Sequence, residues 1–196
     1  MSRVRRRHAL AAATLLILAT GCSSPNPALY TIAPIPGEPR GPGPKVVVLQ
    51  SISLARYLER SEIVRSSENY RLDVMNNDWW GEPLPSMLSR VLTEELSQRL
   101  PQSTILSSGG AVSVSPDATI EINVQRLDED AAGRLVLLAQ ASVDFKGRKT
   151  PIVRNFRFIQ TPPVQGVAGE VAAISTAVGQ LADGLTSMLL TRPVGR

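Results

Sequence analysis

Side chains able to do acid–base, nucleophilic or metal chemistry are few in this chain of 196 residues, and their positions are informative. There is one histidine, His8, and one cysteine, Cys22, both at the N-terminal end. A zinc site needs a cluster of His, Cys or carboxylate ligands, and a Ser-His-Asp triad needs an imidazole. If the N-terminal segment is removed, neither a His/Cys zinc site nor that triad can be assembled. Gly109-Gly110 lacks the lysine and the strand–helix context of a phosphate loop. The acidic run Asp128-Glu129-Asp130 lacks calcium-loop spacing and reads as a solvated turn. What remains is the Cys22 thiol, and its chemistry is done to the protein rather than by it. No enzyme activity is expected.

Arg3, Arg5, Arg6 and Arg7 open the chain, an apolar run follows from Ala9 to Ala19, and Gly21-Cys22 closes it. This is the layout of an export signal. The run is shorter than the roughly 20 apolar residues a membrane span requires. Its ending, Ala19-Thr20-Gly21-Cys22, resembles the bacterial lipoprotein signal, with Ala19 where leucine is usual. That resemblance implies cleavage before Cys22, diacylation of the sulfur and acylation of the new amino group. No other cofactor is expected. Acylation removes the liability of a free thiol in an oxidising compartment. It also accounts for an exported chain with one cysteine and no disulfide framework. Two or more acyl chains hold a protein stably where one does so marginally. Ser23, not aspartate, follows Cys22. By the lipoprotein sorting rule this places the protein on the outer membrane, facing the periplasm.

Residues 1–21 carry four arginines and no acid, so the +4 of the whole chain belongs to the signal. The chain from Cys22 onward is formally neutral, which removes the electrostatic argument for nucleic acid binding. Residues 22–44 hold seven prolines, from Pro25 to Pro44, and read as an extended tether. Within it 29–32, Leu-Tyr-Thr-Ile, fits either a short strand docked on the domain edge or more linker. Residues 45–196 are one domain by size.

The elements follow from period. Val46–Leu49 is short, apolar and β-branched, as a fully buried strand is. A turn or helical link covers 54–60. Residues 62–65 begin a hairpin whose return carries Tyr70, Leu72 and Val74 on one face. Asn76 to Pro85 reads as a loop into a helix, with Pro83 and Pro85 in the first turn. Leu84, Leu88, Val91, Leu92, Leu96 and Leu100 set that helix over 83–100. Glu95 and Arg99 form an i,i+4 pair on its other face. A short strand near 103–106 precedes an antiparallel meander. In it Ile120, Ile122 and Val124 alternate with polar residues, as do Leu135 to Phe145, and 152–158 returns. The last helix, 166–190, carries Val167, Val171, Ile174, Val178, Leu181, Leu185 and Met188, with a stripe of Ala168, Ala172, Ser175, Gly179 and Ala182 beside them. The small residues allow close approach to a sheet, or a second face for a homo-oligomer. The expected fold is α/β of the α+β type: a mainly antiparallel sheet with two amphipathic helices packed on one face. A small β-sandwich is the alternative. Trp79 and Trp80 fit either a core plug that positions the helix or an exposed partner contact.

The lipoprotein signal at Cys22, Leu29-Tyr30-Thr31-Ile32, the 46–64 segment with Tyr57-Leu58, and Asn77-Asp78-Trp79-Trp80-Gly81-Glu82-Pro83-Leu84 come in an order that resembles one family. It is the ABC-type transport auxiliary lipoprotein component family, typified by paraquat-inducible protein C. Typical members have proline two residues before the tyrosine, where this chain has Ala55. The resemblance implies a non-enzymatic outer-membrane docking component of an MCE-type lipid transport system. Its partners would be the MCE-domain protein of an inner-membrane ABC complex and outer-membrane lipid. Two other classes stay open: an assembly lipoprotein of another envelope machine, and a periplasmic lipid-binding module.

Overall fold

The computed structural model describes residues 26–112 and 114–191. Nine strands form one sheet, so the β-sandwich alternative falls. In chain order they are β1 (Ala28–Tyr30), β2 (Val46–Leu49), β3 (Ser53–Leu54), β4 (Glu62–Ser66), β5 (Asp73–Trp80), β6 (Thr104–Ser107), β7 (Ala118–Glu129), β8 (Leu135–Phe145) and β9 (Ile152–Gln160). Helix α1 (Leu84–Arg99) follows β5, and helix α2 (Val167–Leu189) ends the fold. A single 3₁₀ turn, Arg56–Leu58, lies between β3 and β4.

The meander β7–β8–β9 is the long antiparallel part of the sheet. On the other side of β7 the short strands β2, β3 and β4 pair with it in parallel, and β6 adds in parallel to β2. Strand β5 runs antiparallel to β4, and β1 caps that side in parallel. The period-2 expectation for the meander is met. Ile120, Ile122, Val124 and the series Leu135, Leu137, Ala139, Ala141, Val143, Phe145 are buried, while Glu121, Asn123, Gln140 and Asp144 face water. One wet face and one core face is what a sheet covered on one side requires.

Both helices cover the core face. Leu84, Leu88, Leu92 and Leu96 of α1 and Val171, Ile174, Val178, Leu181 and Leu185 of α2 enter one continuous core. Pro83 at the N-cap and Pro85 within the first turn remove two N–H groups that would have had no helical partner. At the start of α2, Gly166 adopts φ +87. A Cβ on Gly169 would collide with the backbone carbonyl of Val164, so the approach to α2 requires glycine there.

Three local expectations are corrected. Val46–Leu49 is not fully buried: Val47 and Leu49 enter the core while Val46 and Val48 lie at its margin, because only one sheet face is covered. Tyr70 and Leu72 do not lie on a buried hairpin face. Both are exposed ahead of β5, in a turn where Asn69 and Tyr70 take left-handed backbone angles. The stretch 76–80, expected as loop, is strand. The β4–β5 register slips twice, so β5 bulges over its polar middle before Trp79 pairs with Glu62.

Candidate functional site

The most concentrated polar chemistry lies where α1, α2 and the N-terminal strap, residues 31–40, meet. Helix α1 carries a second buried row beside its leucines: Met87, Val91, Glu95 and Arg99, four residues apart. The sequence puts Glu95 and Arg99 on the solvent face. Instead they are 0 % and 1 % exposed, because the strap covers them. They form no direct salt bridge, and the carboxylate on Arg99 is that of Asp183. The Arg99 guanidinium donates to the Glu95 backbone carbonyl at 3.2 Å, to the Gly179 carbonyl of α2 at 3.1 Å, to the Ile35 carbonyl at 3.4 Å and to Asp183 Oδ1 at 2.8 Å. One planar fork thus ties two helices and the strap, which a lysine's point charge would not do.

The strap has no ladder beyond β1, so its amides find partners on the helices. Ile32 N–H meets Met87 Sδ at 3.2 Å and Ala33 N–H donates to Ser175 Oγ at 3.2 Å. Ile35 N–H donates to Glu95 Oε1 at 2.7 Å, and Arg40 N–H to the Arg99 carbonyl at 2.7 Å. Ile32 is a core residue. Gly37 lies against the Arg99 guanidinium with no room for a Cβ. The buried part of the small-residue stripe of α2 is therefore used within the chain: a Cβ on Gly179 would come to 2.9 Å from Ile35 Cβ.

Two buried carboxylates, one at this junction and one at the start of α2, are held away from their ordinary range. Burial pushes Glu95 up to about 7 against the pull of the Ile35 amide and Arg99, and its Oε2 has no partner. Burial, reinforced by Glu129, pushes Glu170 in the first turn of α2 up to about 8, and its Oε1 also lacks a partner. Arg65 opposes that rise, and Asp128 and Asp73 add to it.

The acidic run is not one solvated turn. Asp128 is fully buried, accepting from Tyr57 Oη at 2.6 Å and Arg126 Nε at 2.8 Å. Tyr57 is raised by burial and then by that carboxylate. Asp130 alone makes the β7–β8 turn, where the Arg134 side chain and amide hold it down at about 2. The strand signal failed at Asp128 because β7 bulges near Val124 and reverses its parity.

The two tryptophans face opposite ways, as neighbours on a strand must. Trp80 is 7 % exposed and in the core. Trp79 is 36 % exposed, and its Nε1–H donates to the Asn76 carbonyl at 2.9 Å, closing the bulge. Cys22 lies outside the described residues. Among the described residues no group of three or more His, Cys, Asp or Glu is placed to hold a metal. No described helix is long and apolar enough to cross a membrane.

The arrangement defines a class: a one-sheet α+β domain with its N-terminal strap bound between two helices. Residues 30–185 match the ABC-type transport auxiliary lipoprotein component family, and the chain belongs to it. That family is non-catalytic and works with an ABC transport complex. A Xanthomonas campestris protein of known crystal structure is 18 % identical, over 84 % of this chain and 95 % of its own, with a TM-score of 0.71. An uncharacterised protein is 16 % identical over 83 % of this chain and 98 % of its own, with a TM-score of 0.70. PelC of Paraburkholderia phytofirmans, crystallised as a dodecamer, is 10 % identical over 82 % of this chain and 98 % of its own, with a TM-score of 0.46. No curated protein matches the chain.

Proposed function

We propose that this protein is the outer-membrane docking lipoprotein of an MCE-type ABC system that moves lipid between membranes. The observation that carries the reading is the family match over residues 30–185. In this reading residues 1–21 are the export signal, Cys22 is the acylated N-terminus and residues 22–44 lead into the domain. The domain acts by contact with the MCE-domain protein of the inner-membrane complex. Trp80 anchors the core and Trp79 is an outward contact. The strap supports an anchoring role, because tension on Cys22 would pass through Ile35 and Arg40 into both helices rather than into a free linker. A lipid-binding module would call instead for an apolar cavity, and the apolar rows of both helices are packed on the sheet.

Two measurements test this. Fractionation of wild type and Cys22→Ser, with mass measurement of the N-terminal peptide, should find an acylated Cys22 in the outer membrane and a released variant. A soluble wild type with an unmodified Cys22 would end the anchoring part. Crosslinking in intact cells should recover an MCE-domain protein. Recovery of a secretin or a cell-wall synthase in its place would overturn the assignment.

A further inference from the structure

Leu29 and Trp79 are register partners on the parallel β1–β5 pair. Their side chains therefore share one face of the sheet, the face opposite Trp80. Leu29 is 67 % exposed and Trp79 36 %, so the pair presents apolar surface to solvent. A leucine beside a tryptophan at a sheet margin is an apolar surface waiting for a neighbour, and the question is which neighbour.

Chain geometry narrows it. Leu29 follows Cys22 by seven residues. Seven residues span at most about 25 Å when fully extended. A domain of this size is about 40 Å across, from the scaling of the radius of gyration. With Cys22 held at a bilayer, the chain is too short to let the domain turn its Leu29 face away. That reach keeps Leu29 from pointing directly away from the lipid, and the chemistry of the patch selects among the remaining orientations. The headgroup zone is about 5–8 Å deep on each side, enough to take one indole and one leucine side chain.

The chemistry fits. Tryptophan prefers the membrane–water interface because it is a large apolar body with one polar N–H. Here the N–H is already satisfied by the Asn76 carbonyl, so seating the ring exposes no unpaired donor. The adjacent charge is neutralised as well: Glu62, opposite Trp79, lies 3.4 Å from Arg60 Nε.

We infer that Leu29 and Trp79 form a membrane-seating patch that rests in the lipid headgroup zone beside the Cys22 anchor and fixes which way the domain faces. The inference rests on the reading of Cys22 as the lipid anchor. It gives the anchor an orientation: the opposite end of the sheet, with the β7–β8 turn and the entry to α2, is left for partners in the periplasm.

The test uses the full acylated protein in vesicles of phosphatidylethanolamine and phosphatidylglycerol. Trp80→Phe leaves Trp79 as the one indole, and Trp79→Phe leaves Trp80. Lipids brominated near the headgroup should quench Trp79 about threefold more than Trp80, as expected of an interfacial against a core indole. Leu29→Cys serves as the second probe, because an acylated Cys22 leaves it the one free thiol. A nitroxide on it should be more accessible to oxygen than to a water-soluble nickel chelate. Protein that floats with vesicles yet shows acrylamide-accessible Trp79 and a nickel-accessible label would overturn the patch and leave the anchor intact. Protein that does not float would overturn both. Protection of Trp79 gained only on adding an MCE-domain protein would overturn the patch in favour of a protein contact.

Discussion

Ile35 presses its Cβ onto α2 at Gly179, one of the three glycines of that helix. The contact explains a feature that otherwise looks costly, a glycine in the middle of a long helix. It sets the spacing of the strap from α2, and with it the reach of the Arg99 guanidinium to the carbonyls of Ile35 and Gly179.

Gly179→Ala should therefore behave differently in two backgrounds. Alone, the added methyl meets Ile35 and should destabilise by about 1–2 kcal/mol, overpacking outweighing the gain in helix propensity. With Ile35→Gly in place the same change should stabilise by about 1 kcal/mol. Urea titration of the four proteins checks the reversal of sign. Limited proteolysis near residues 36–44 should accelerate in Gly179→Ala.

Arg99→Met should lower stability by about 3–5 kcal/mol, the range for breaking a buried charge constellation. It removes the guanidinium bonds to three carbonyls, of which the Ile35 carbonyl has no helical partner, and leaves Asp183 without its nearest cation. Asp183→Asn should cost about 1 kcal/mol or less, since that carboxylate is half-exposed and screened. Arg99→Lys should recover only a small part, for want of the fork. Melting temperatures of the three variants order the effects.

The pH dependence of stability should carry the mark of Glu170. Its folded pKa of about 8 stands above the ordinary 4.5, so the folded protein holds a proton that the unfolded chain releases. The stabilisation is complete below about 4.5 and is lost as pH rises through 8. Glu95, at about 7, acts in the same direction over a narrower window. Glu170→Gln, a neutral copy, should flatten the decline and be more stable than wild type at pH 9 by about 3 kcal/mol, with little difference at pH 5. Thermal melts of both proteins from pH 4.5 to 9 measure it.

The tryptophans should separate cleanly. Trp80→Ala empties a core position and should cost about 3–5 kcal/mol. Trp79→Ala removes a surface ring and its bond to Asn76, and should cost about 1 kcal/mol. Denaturant midpoints distinguish them. Equal large losses would mean that Trp79 supports the bulge as firmly as Trp80 fills the core.

The meander and both helices are legible in the sequence because each has one covered face. Ile120 to Val124, Leu135 to Phe145 and the heptad-like run from Val167 to Met188 show the period of their element directly. Strand β5 is not legible. Asn76, Asn77 and Asp78 are poor strand formers, and the bulge that admits them is set by pairing with β4 and β1. The strap seat is hidden for a different reason. Glu95 and Arg99 continue the row of Met87 and Val91 at four-residue spacing, a signal in plain sight. What buries them is a proline-rich segment 60 residues and more earlier, with no period of its own and hydrogen bonds made to side chains. Asp128 is concealed likewise, by the bulge that turns it inward and by Tyr57, 71 positions before it.

The strap also imposes an order on assembly. Ala33 binds Ser175, 142 positions later, and Arg40 binds Ser187, 147 positions later. In a chain delivered N-terminus first, the segment that emerges earliest can meet α1 but must wait for the last helix before its seat is complete. Contacts this distant in sequence make closure slow. The part of the core face that α2 covers stays open to solvent during that wait, which is the state most prone to aggregation. A domain that closes with its final helix cannot be finished piecemeal as it is threaded out.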